Sequence, residues 1–344
     1  MTARPSPRGD GSCASLDPVR ILVVSQMWPG PEDPDLGAFV AQVARGLESV
    51  GHEVDRAVLD RRGGPPTKYA RLALAAARAR RPDVAFAHFL VPTGLVALVA
   101  VRAPVVVMAH GQDVANAERL APIRLLTRVV TGRAAAVIAN SEHLAGRLEA
   151  LTGRRAEIID CGVDLEAFAP GVLPAAWPGE RPRFLCVGSL VERKNVVRLA
   201  EAFARVGEGS LVFVGDGPER AALTGRASVH LVGRAPHDQV PAWIAACDVL
   251  CQPSLLEPFG QATLEAMAME RSVVATREGG PPEFVTPGSG RLVDPRDIDA
   301  IAEGMRDAAL LPSPNPVARA AAAVHDVRRQ AQRMAAVLER AARG

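Results

Sequence analysis

Two glutamates eight residues apart, Glu257 and Glu265, lie in a stretch whose residue types could hold a phosphate between two carboxylates. An apolar run before them predicts the end of a buried strand, and Pro258 is typical of a first helical position. We therefore predict that Glu265 lies about 12 Å further along the helix axis than Glu257. The N–H groups of residues 259–261 fall between them, where the helix dipole favours phosphate. This layout suits a nucleotide-sugar, although two solvated helix-end charges would have the same spacing.

A lone lysine in the second half of the chain is the next candidate. The chain has 40 basic residues, and all but Lys68 and Lys194 are arginines. Lys194 follows a predicted strand at residues 184–187, within the run from Gly188 to Asn195. An ammonium is a compact point charge that can stabilise a diphosphate while its negative charge increases. The alternative is an ordinary surface lysine.

Glycine or histidine follows several other predicted strands. Gly37 lies between the first strand and its helix, and His88 and His110 end two later strands. In the second half of the chain, turns begin at Gly215 and Gly279 after strands. Because ligands of parallel sheets bind at the carboxyl ends of the strands, we expect these segments to converge in each half. One such residue alone would more often be structural.

Composition restricts the class of protein. The chain has 344 residues, a net charge of +2 and 48% hydrophobic residues, which allows two ordinary domains and offers no basic surface for nucleic acid. The five cysteines form no C-x-x-C pair, which indicates a reducing cytosol and argues against zinc or a disulfide framework. No apolar run reaches about 18 residues, so we predict no transmembrane helix and a cytoplasmic protein.

Strand and helix patterns alternate, which predicts an α/β protein with parallel sheets covered on both faces. Residues 1–18 are rich in proline, serine and glycine and predict a disordered tail. Residues 19–172 predict one doubly wound, Rossmann-like domain, and residues 173–316 predict a second one. Residues 317–344 follow three closely spaced prolines and predict one long final helix over residues 317–342.

The order and spacing of these segments resemble the retaining glycosyltransferases of family 4 over roughly residues 19–342. The matching segments include the E-x7-E run from Glu257 to Glu265, the His-Gly-Gln-Asp run from His110, and the run from Gly188 to Lys194. The resemblance implies the GT-B fold, in which two Rossmann-like domains face each other across a cleft and a C-terminal helix crosses back to the first domain. It implies that the N-terminal domain receives the acceptor and the C-terminal domain binds a nucleoside-diphosphate sugar.

The resemblance also implies roles for individual residues. Arg193 and Lys194 would neutralise the leaving diphosphate, and His110 would contact the transferred sugar near the reacting carbon. Glu257 would hold the donor sugar, and Glu265 would bind the ribose hydroxyls. The remaining donor-binding residues would be Gly37, Gly188, Gly233, Phe259, Gly260 and Gln261.

We expect a metal-independent reaction with no cofactor, in which the nucleotide-sugar is a co-substrate. Two Asp-x-Asp pairs could in principle bind a metal, but Asp33–Asp35 lies in a Pro-rich loop of the other domain and Asp297–Asp299 opens a late helix. Solvated carboxylates are expected at both places. Ser189 stands where many family members carry an arginine, so the phosphate charge would rest on Arg193 and Lys194. We expect Lys194 to be exposed in an open cleft.

Three other functions are compatible with parts of this pattern. A GT-B sugar-nucleotide epimerase would share the nucleotide site, and a catalytically silent partner subunit would share the fold. The intact glutamate pair and Lys194 argue against the silent subunit. A retaining glycoside hydrolase needs carboxyl groups about 5 Å apart on facing elements, which one helix cannot provide at this spacing.

The acceptor is not specified by the sequence, and a glycan, a lipid-linked sugar and a small metabolite all remain open. A predicted helix over Glu118–Val130 combines Arg119, Arg124 and Arg128 with several leucines, isoleucine and valine. A basic and apolar helix can lie in an anionic interface, and the pattern is compatible with peripheral contact with the inner membrane surface. An ordinary amphipathic cover helix is the alternative.

Overall fold

The computed structural model describes residues 18–344, so the predicted tail at residues 1–18 lies outside the described part except for its last residue. Six strands of the N-terminal half form one parallel sheet in the spatial order β2-β1-β3-β4-β5-β6. These strands are β1 (Arg20–Ser25), β2 (Glu53–Val58), β3 (Val84–His88), β4 (Val105–Ala109), β5 (Ala136–Ala139) and β6 (Glu157–Ile158). The central strands are buried apolar runs, as expected for a sheet covered on both faces.

Helices cover both faces of this first sheet. They are α1 (Ala38–Ser49), α2 (Lys68–Arg78), α3 (Leu95–Ala100), α4 (Gln112–Arg119), α5 (Ala121–Arg133) and α6 (Glu142–Thr152). Apolar residues of α2, α3, α5 and α6 pack on one face, and those of α1 pack on the other. The helix predicted over Glu118–Val130 is thus wrong at its start, because the chain becomes extended at Leu120 between α4 and α5.

The C-terminal half repeats this architecture in a second parallel sheet of order β12-β11-β10-β7-β8-β9. Its strands are β7 (Arg183–Val187), β8 (Ser210–Val214), β9 (Val229–Gly233), β10 (Val249–Gln252), β11 (Ser272–Thr276) and β12 (Gly290–Val293). Its helices are α7 (Val196–Val206), α8 (Arg220–Leu223), α9 (Val240–Ala246), α10 (Gln261–Ala268), α11 (Ile298–Ala309) and α12 (Pro316–Ala323). The predicted pair of doubly wound α/β sheets is therefore confirmed.

The strand orders determine where a ligand can bind. In each sheet the direction of strand addition reverses once, between β1 and β3 in the first and between β7 and β10 in the second. A crevice opens at such a switch point, outside the carboxyl ends of the strands. The segments containing His88, Lys194 and Glu257 all follow strands at these two points.

The chain ends with α13 (Val327–Arg343), which returns to the first sheet. The fully buried Met334 and Leu338 pack with Ile21 and Val40 of the N-terminal half, which confirms that a C-terminal helix crosses back. The prediction of one helix over residues 317–342 is wrong, because α12 and α13 are separated by a break around His325. At this break, Val327 N–H donates to the Val163 carbonyl at 3.0 Å, which joins the two chain segments that cross between the halves.

Candidate active site

A cavity of about 260 Å³ opens between the two halves of the molecule. We call its two sides the N-terminal wall and the C-terminal wall. The N-terminal wall consists of Phe39, His110, Gly111, Gln112, Ala115, Asn140 and Cys161. The C-terminal wall consists of Arg193, Lys194, Leu256, Glu257, Pro258, Phe259, Gly260 and Gln261. Seven of the predicted site residues therefore line one cavity, while Gly37, Gly188, Gly233 and Glu265 lie outside its lining.

An ion pair dominates the C-terminal wall. Lys194 Nζ lies 2.6 Å from Glu257 Oε2, and Ser254 Oγ donates to the same oxygen at 3.0 Å. The side chains of Lys194 and Glu257 are only 16% and 10% exposed, so the expectation of an exposed Lys194 is wrong. Burial alone would raise the pKa of Glu257, but Lys194, together with Arg193 and Ser254, outweighs burial and holds the pKa below its ordinary value.

Glu257 does not lie at the mouth of a helix as predicted. It pairs in extended conformation with the segment around Gly279, donating to the Glu278 carbonyl at 3.1 Å and accepting from Gly280 N–H at 2.9 Å. Helix α10 begins only at Gln261, because Gly260 has a φ of 107° and interrupts the helical backbone ahead of it. Pro258 is thus outside the helix.

The backbone donors at this helix start remain available. Within residues 18–344, the N–H groups of Phe259, Gly260 and Gln261 have no hydrogen-bond acceptor, and all three residues line the cavity. Such N–H groups at the positive end of a helix favour an anion. These are the N–H groups that the sequence predicts for an anion site; only the first helical residue differs, because α10 begins at Gln261 and not at Pro258.

Glu265 lies behind the C-terminal wall and is 3% exposed. Gln261 Nε2 lies 3.3 Å from Glu265 Oε1 and donates to the Gly162 carbonyl at 2.9 Å. His237 Nε2 lies 3.3 Å from the same carboxylate oxygen. Burial lowers the pKa of His237, but Glu265 outweighs burial and raises it above its ordinary value. Sequence reasoning missed His237, whose only signal is its place in the loop that follows β9.

The N-terminal wall is organised by Asp113, the last residue of the His-Gly-Gln-Asp run, for which the sequence predicts no individual role. This carboxylate is 4% exposed and accepts N–H bonds from Leu90, His110, Gly111 and Val114. Burial raises its pKa, and the four N–H bonds oppose that rise without cancelling it. Asp113 therefore fixes the backbone of the segment that carries the His110 side chain.

Three of the predicted glycines shape the loops around the cavity. Gly37 has a φ of 65° and precedes α1, and a Cβ there would lie 2.6 Å from the Met27 carbonyl oxygen. Only glycine therefore fits this position, which sets the entry of α1 and its cavity residue Phe39. Gly188 N–H donates to the Val214 carbonyl at 2.9 Å, and the Gly233 carbonyl accepts from Gly215 N–H at 2.8 Å.

The two halves touch directly at the cavity. Gly111 abuts Pro258 so closely that a Cβ on Gly111 would lie 2.2 Å from the proline ring. Ser141 Oγ donates to the Pro258 carbonyl at 2.7 Å, and Glu283 accepts the N–H groups of Glu142 and His143 at the start of α6. These contacts hold the two walls against each other.

The two Asp-x-Asp pairs have other partners. Asp33 lies 2.9 Å from Arg62 and 3.0 Å from Arg234, and Asp35 also pairs with Arg62. Asp297 caps α11 by accepting N–H bonds from residues 299 and 300. Within residues 18–344, no group of three or more His, Cys, Asp or Glu side chains could hold a metal ion.

Comparison with known proteins identifies the family. Residues 36–167 match the family described as Glycosyltransferase Family 4, and residues 181–309 match the one described as Glycosyl transferases group 1. The chain is 30% identical over 303 residues to D-inositol 3-phosphate glycosyltransferase of Kribbella flavida, which covers 75% of this chain and 70% of that protein. It is 28% identical over 237 residues to the putative teichuronic acid biosynthesis glycosyltransferase TuaC of Bacillus subtilis, and this alignment covers 65% of this chain and 60% of TuaC.

A solved structure shows the same architecture. HepE of Anabaena in complex with UDP-glucose matches with a TM-score of 0.71 at 21% identity, over 93% of this chain and 99% of that chain. The fold is thus the GT-B fold, and the cavity lies between its two halves. The chain belongs to glycosyltransferase family 4. It spans only about 60% of the length of TuaC.

Proposed function

We propose that the protein transfers a sugar from a nucleoside-diphosphate sugar to a hydroxyl group, with retention of the anomeric configuration and without a metal ion. The observation that carries this proposal is the C-terminal wall. Arg193 and Lys194 stand there beside three N–H groups that have no acceptor within residues 18–344. Two cations and a helix start together suit a diphosphate.

The chemistry requires stabilisation of a leaving group. As the bond between the sugar C1 and the phosphate oxygen breaks, negative charge grows on the diphosphate. A cation fixed beside it stabilises the transition state more than the ground state. One such preorganised group typically contributes on the order of 3 kcal/mol. Lys194 is held in place by Glu257, whose carboxylate also accepts a hydrogen bond from Ser254, so the position of Lys194 does not depend on the ligand.

The cavity lining favours retention. An inverting transfer needs a general base that removes the proton of the acceptor hydroxyl. Among residues 18–344, Glu257 is the only carboxylate in the cavity lining, and it is already paired with Lys194. In a retaining transfer the hydroxyl attacks C1 from the side of the departing diphosphate. The proton then passes to a phosphate oxygen, so no protein base is required.

The relatives support a nucleotide-sugar donor. HepE is solved in complex with UDP-glucose. The two matched proteins are described as a D-inositol 3-phosphate glycosyltransferase and as a putative teichuronic acid biosynthesis glycosyltransferase. We therefore propose a hexose as the transferred sugar. The acceptor is a glycan, a lipid-linked sugar or a small metabolite that bears a free hydroxyl.

The proposal is tested by incubating the purified protein with a panel of UDP-, GDP-, ADP- and dTDP-hexoses in EDTA and following nucleoside diphosphate release. With a competent acceptor, proton NMR of the product should show the anomeric configuration of the donor. An isomerised donor in the absence of acceptor would indicate an epimerase. Binding without any turnover on every donor and acceptor would indicate a silent subunit.

A peripheral membrane contact also fits the surface. Leu120 and Leu125 are 44% and 64% exposed at the start of α5, beside the exposed Arg119 and Arg128. We propose that this surface binds anionic lipid, which would bring a lipid-linked acceptor to the cleft. Within residues 18–344, no helix is long and apolar enough to cross a membrane.

A further inference from the structure

A second histidine stands directly behind His110. His88 ends β3 and is fully buried, and its Nδ1 lies 3.0 Å from His110 Nε2. The two rings are nearly parallel, with an angle of 15° between their planes. Burial lowers the pKa of His88 to about 3 and also lowers the pKa of His110. Both rings are therefore neutral, and one proton is shared along the line between them.

The shared proton can belong to either ring, and the two arrangements differ in whether His88 Nε2 carries a proton. If His110 Nε2–H donates, His88 must carry its own proton on Nε2. If His88 Nδ1–H donates, His88 Nε2 is an unprotonated acceptor. His88 Nε2 is buried and has no hydrogen-bond partner within residues 18–344. The Phe86 ring, with centroids 4.5 Å apart, offers only a weak π acceptor.

The second arrangement has the lower free energy. A buried N–H without an acceptor is rarer in proteins than a buried acceptor without a donor, because the N–H loses its full hydration without replacement. His88 therefore carries its proton on Nδ1 and donates it to His110. His110 must then carry its own proton on Nδ1.

We infer that His88 is a positioning residue that fixes His110 as the Nδ1–H tautomer, so that His110 presents a hydrogen-bond donor to the cleft. His110 lines the cavity, and its Nδ1 has no hydrogen-bond partner within residues 18–344. The group that accepts this hydrogen bond is an oxygen of the nucleotide-sugar, either a sugar hydroxyl or a phosphate oxygen. In this state His110 cannot serve as a general base. This inference rests on the proposed function for the identity of the ligand, but not for the tautomer.

The tautomer can be measured without any substrate. In the full chain labelled with ¹⁵N-histidine, two-bond ¹H–¹⁵N correlation spectra distinguish Nδ1–H from Nε2–H, and His88→Asn and His110→Gln assign the two rings. We expect Nδ1–H on both. An Nε2–H tautomer of His110 would overturn the inference, whether or not the protein turns over any nucleotide-sugar.

Matched variants test the consequence for catalysis. Asn at residue 88 keeps an N–H donor near the place of Nδ1, whereas Leu removes it. For His88→Leu we expect the donor KM to rise about tenfold with kcat within about threefold, because the contact is present in ground and transition states alike. His88→Asn should retain most of the affinity and the Nδ1–H signal of His110. Equal losses in both variants, with equal melting temperatures, would mean that His88 only fills space. If His88→Leu does not fold, the spectrum of His88→Asn decides alone.

Discussion

The two walls of the cavity differ in charge. In the part of the chain that the structure describes, no side chain lining the N-terminal wall carries a charge, because burial keeps His110 and the neighbouring His88 neutral. The Asp113 carboxylate lies outside the lining and accepts four backbone N–H bonds. The C-terminal wall is charged, with Arg193, the Lys194–Glu257 pair and a helix start whose N–H groups face the cavity. A nucleotide-sugar has the same division, since its sugar is neutral and its diphosphate is anionic.

The difference also shows how each wall is kept in place. In the N-terminal wall, hydrogen bonds to backbone fix one geometry, and no charge has to move when a ligand binds. In the C-terminal wall, Lys194 is held by Glu257, and a diphosphate must share or replace this partner. We therefore expect substitutions in the C-terminal wall to change turnover and stability, and those in the N-terminal wall to change affinity.

The largest effect should follow from breaking the ion pair. Lys194→Met removes the cation that stabilises the leaving group, so turnover at saturating donor should fall about a hundredfold. It also leaves the buried Glu257 unpaired, and the free energy of unfolding should fall by about 3 kcal/mol in urea titrations. Lys68→Met, which removes the other lysine of the chain, is the control and should change neither quantity.

A double variant separates the two consequences. Lys194→Met combined with Glu257→Gln removes both charges, so most of the stability should return while turnover stays low. If the single Lys194→Met variant keeps near-normal turnover, the C-terminal wall is not the site of the leaving group. If it keeps normal stability, the pair is less buried than its side-chain exposures of 16% and 10% indicate.

Because His88 behind the N-terminal wall is held neutral, the folded protein should lose stability in acid. The pKa of His88 is lowered from 6.5 to about 3, so between these values the unfolded chain binds a proton that the folded chain excludes. Stability from this group is present above pH 6.5 and decreases as the pH falls, by about 1.4 kcal/mol per pH unit. Between pH 6.5 and 5, wild type should lose about 2 kcal/mol more than His88→Asn. Parallel curves for the two proteins would show that His88 is not held neutral.

A smaller effect is expected from substitution of Glu265, which lies behind the C-terminal wall. The resemblance to family 4 implies that Glu265 binds the ribose hydroxyls, whose contacts are the same in the ground and transition states. Glu265→Gln should therefore raise the donor KM about tenfold and change kcat by less than about threefold. Glu303→Gln, on the exposed side of α11, is the matched control. A kcat loss as large as that of Lys194→Met would place Glu265 at the reacting centre instead.

The smallest effect concerns the outer surface of the N-terminal half. Leu125→Ser should weaken binding to vesicles containing anionic lipid about fivefold, since one exposed leucine contributes about 1 kcal/mol. Leu310→Ser, which changes an 86% exposed leucine in the C-terminal half, is the control. Equal partitioning onto neutral and anionic vesicles would contradict the membrane proposal.

The sequence predicts the strands of this protein better than its helix boundaries. The apolar run at residues 184–187 predicts a strand and forms β7, because a parallel strand that is buried on both faces is apolar along its length. The start of α10 and the breaks at Leu120 and His325 were not predicted, because each depends on one backbone conformation rather than on periodicity. A φ of 107° at Gly260 has no signature beyond glycine itself.

Local sequence patterns also do not predict which residues of the site contact each other. Motif spacing identifies Lys194, Glu257 and His110, but not which of them touch. The pairs Lys194–Glu257 and His237–Glu265 join residues 63 and 28 positions apart, and no local pattern encodes such contacts. The exposure of Lys194 was misjudged for this reason, since its buried partner lies on another loop.

The proposed function depends most on the C-terminal wall being a diphosphate site that needs no metal. Calorimetric titration in EDTA of a nucleoside diphosphate and of the corresponding nucleoside, for the base that the donor panel identifies, tests this directly. The diphosphate should bind at least about tenfold more tightly to wild type, and this difference should largely disappear in Lys194→Met. Equal affinities for the two ligands, or diphosphate binding that appears only after a divalent cation is added, would contradict the account.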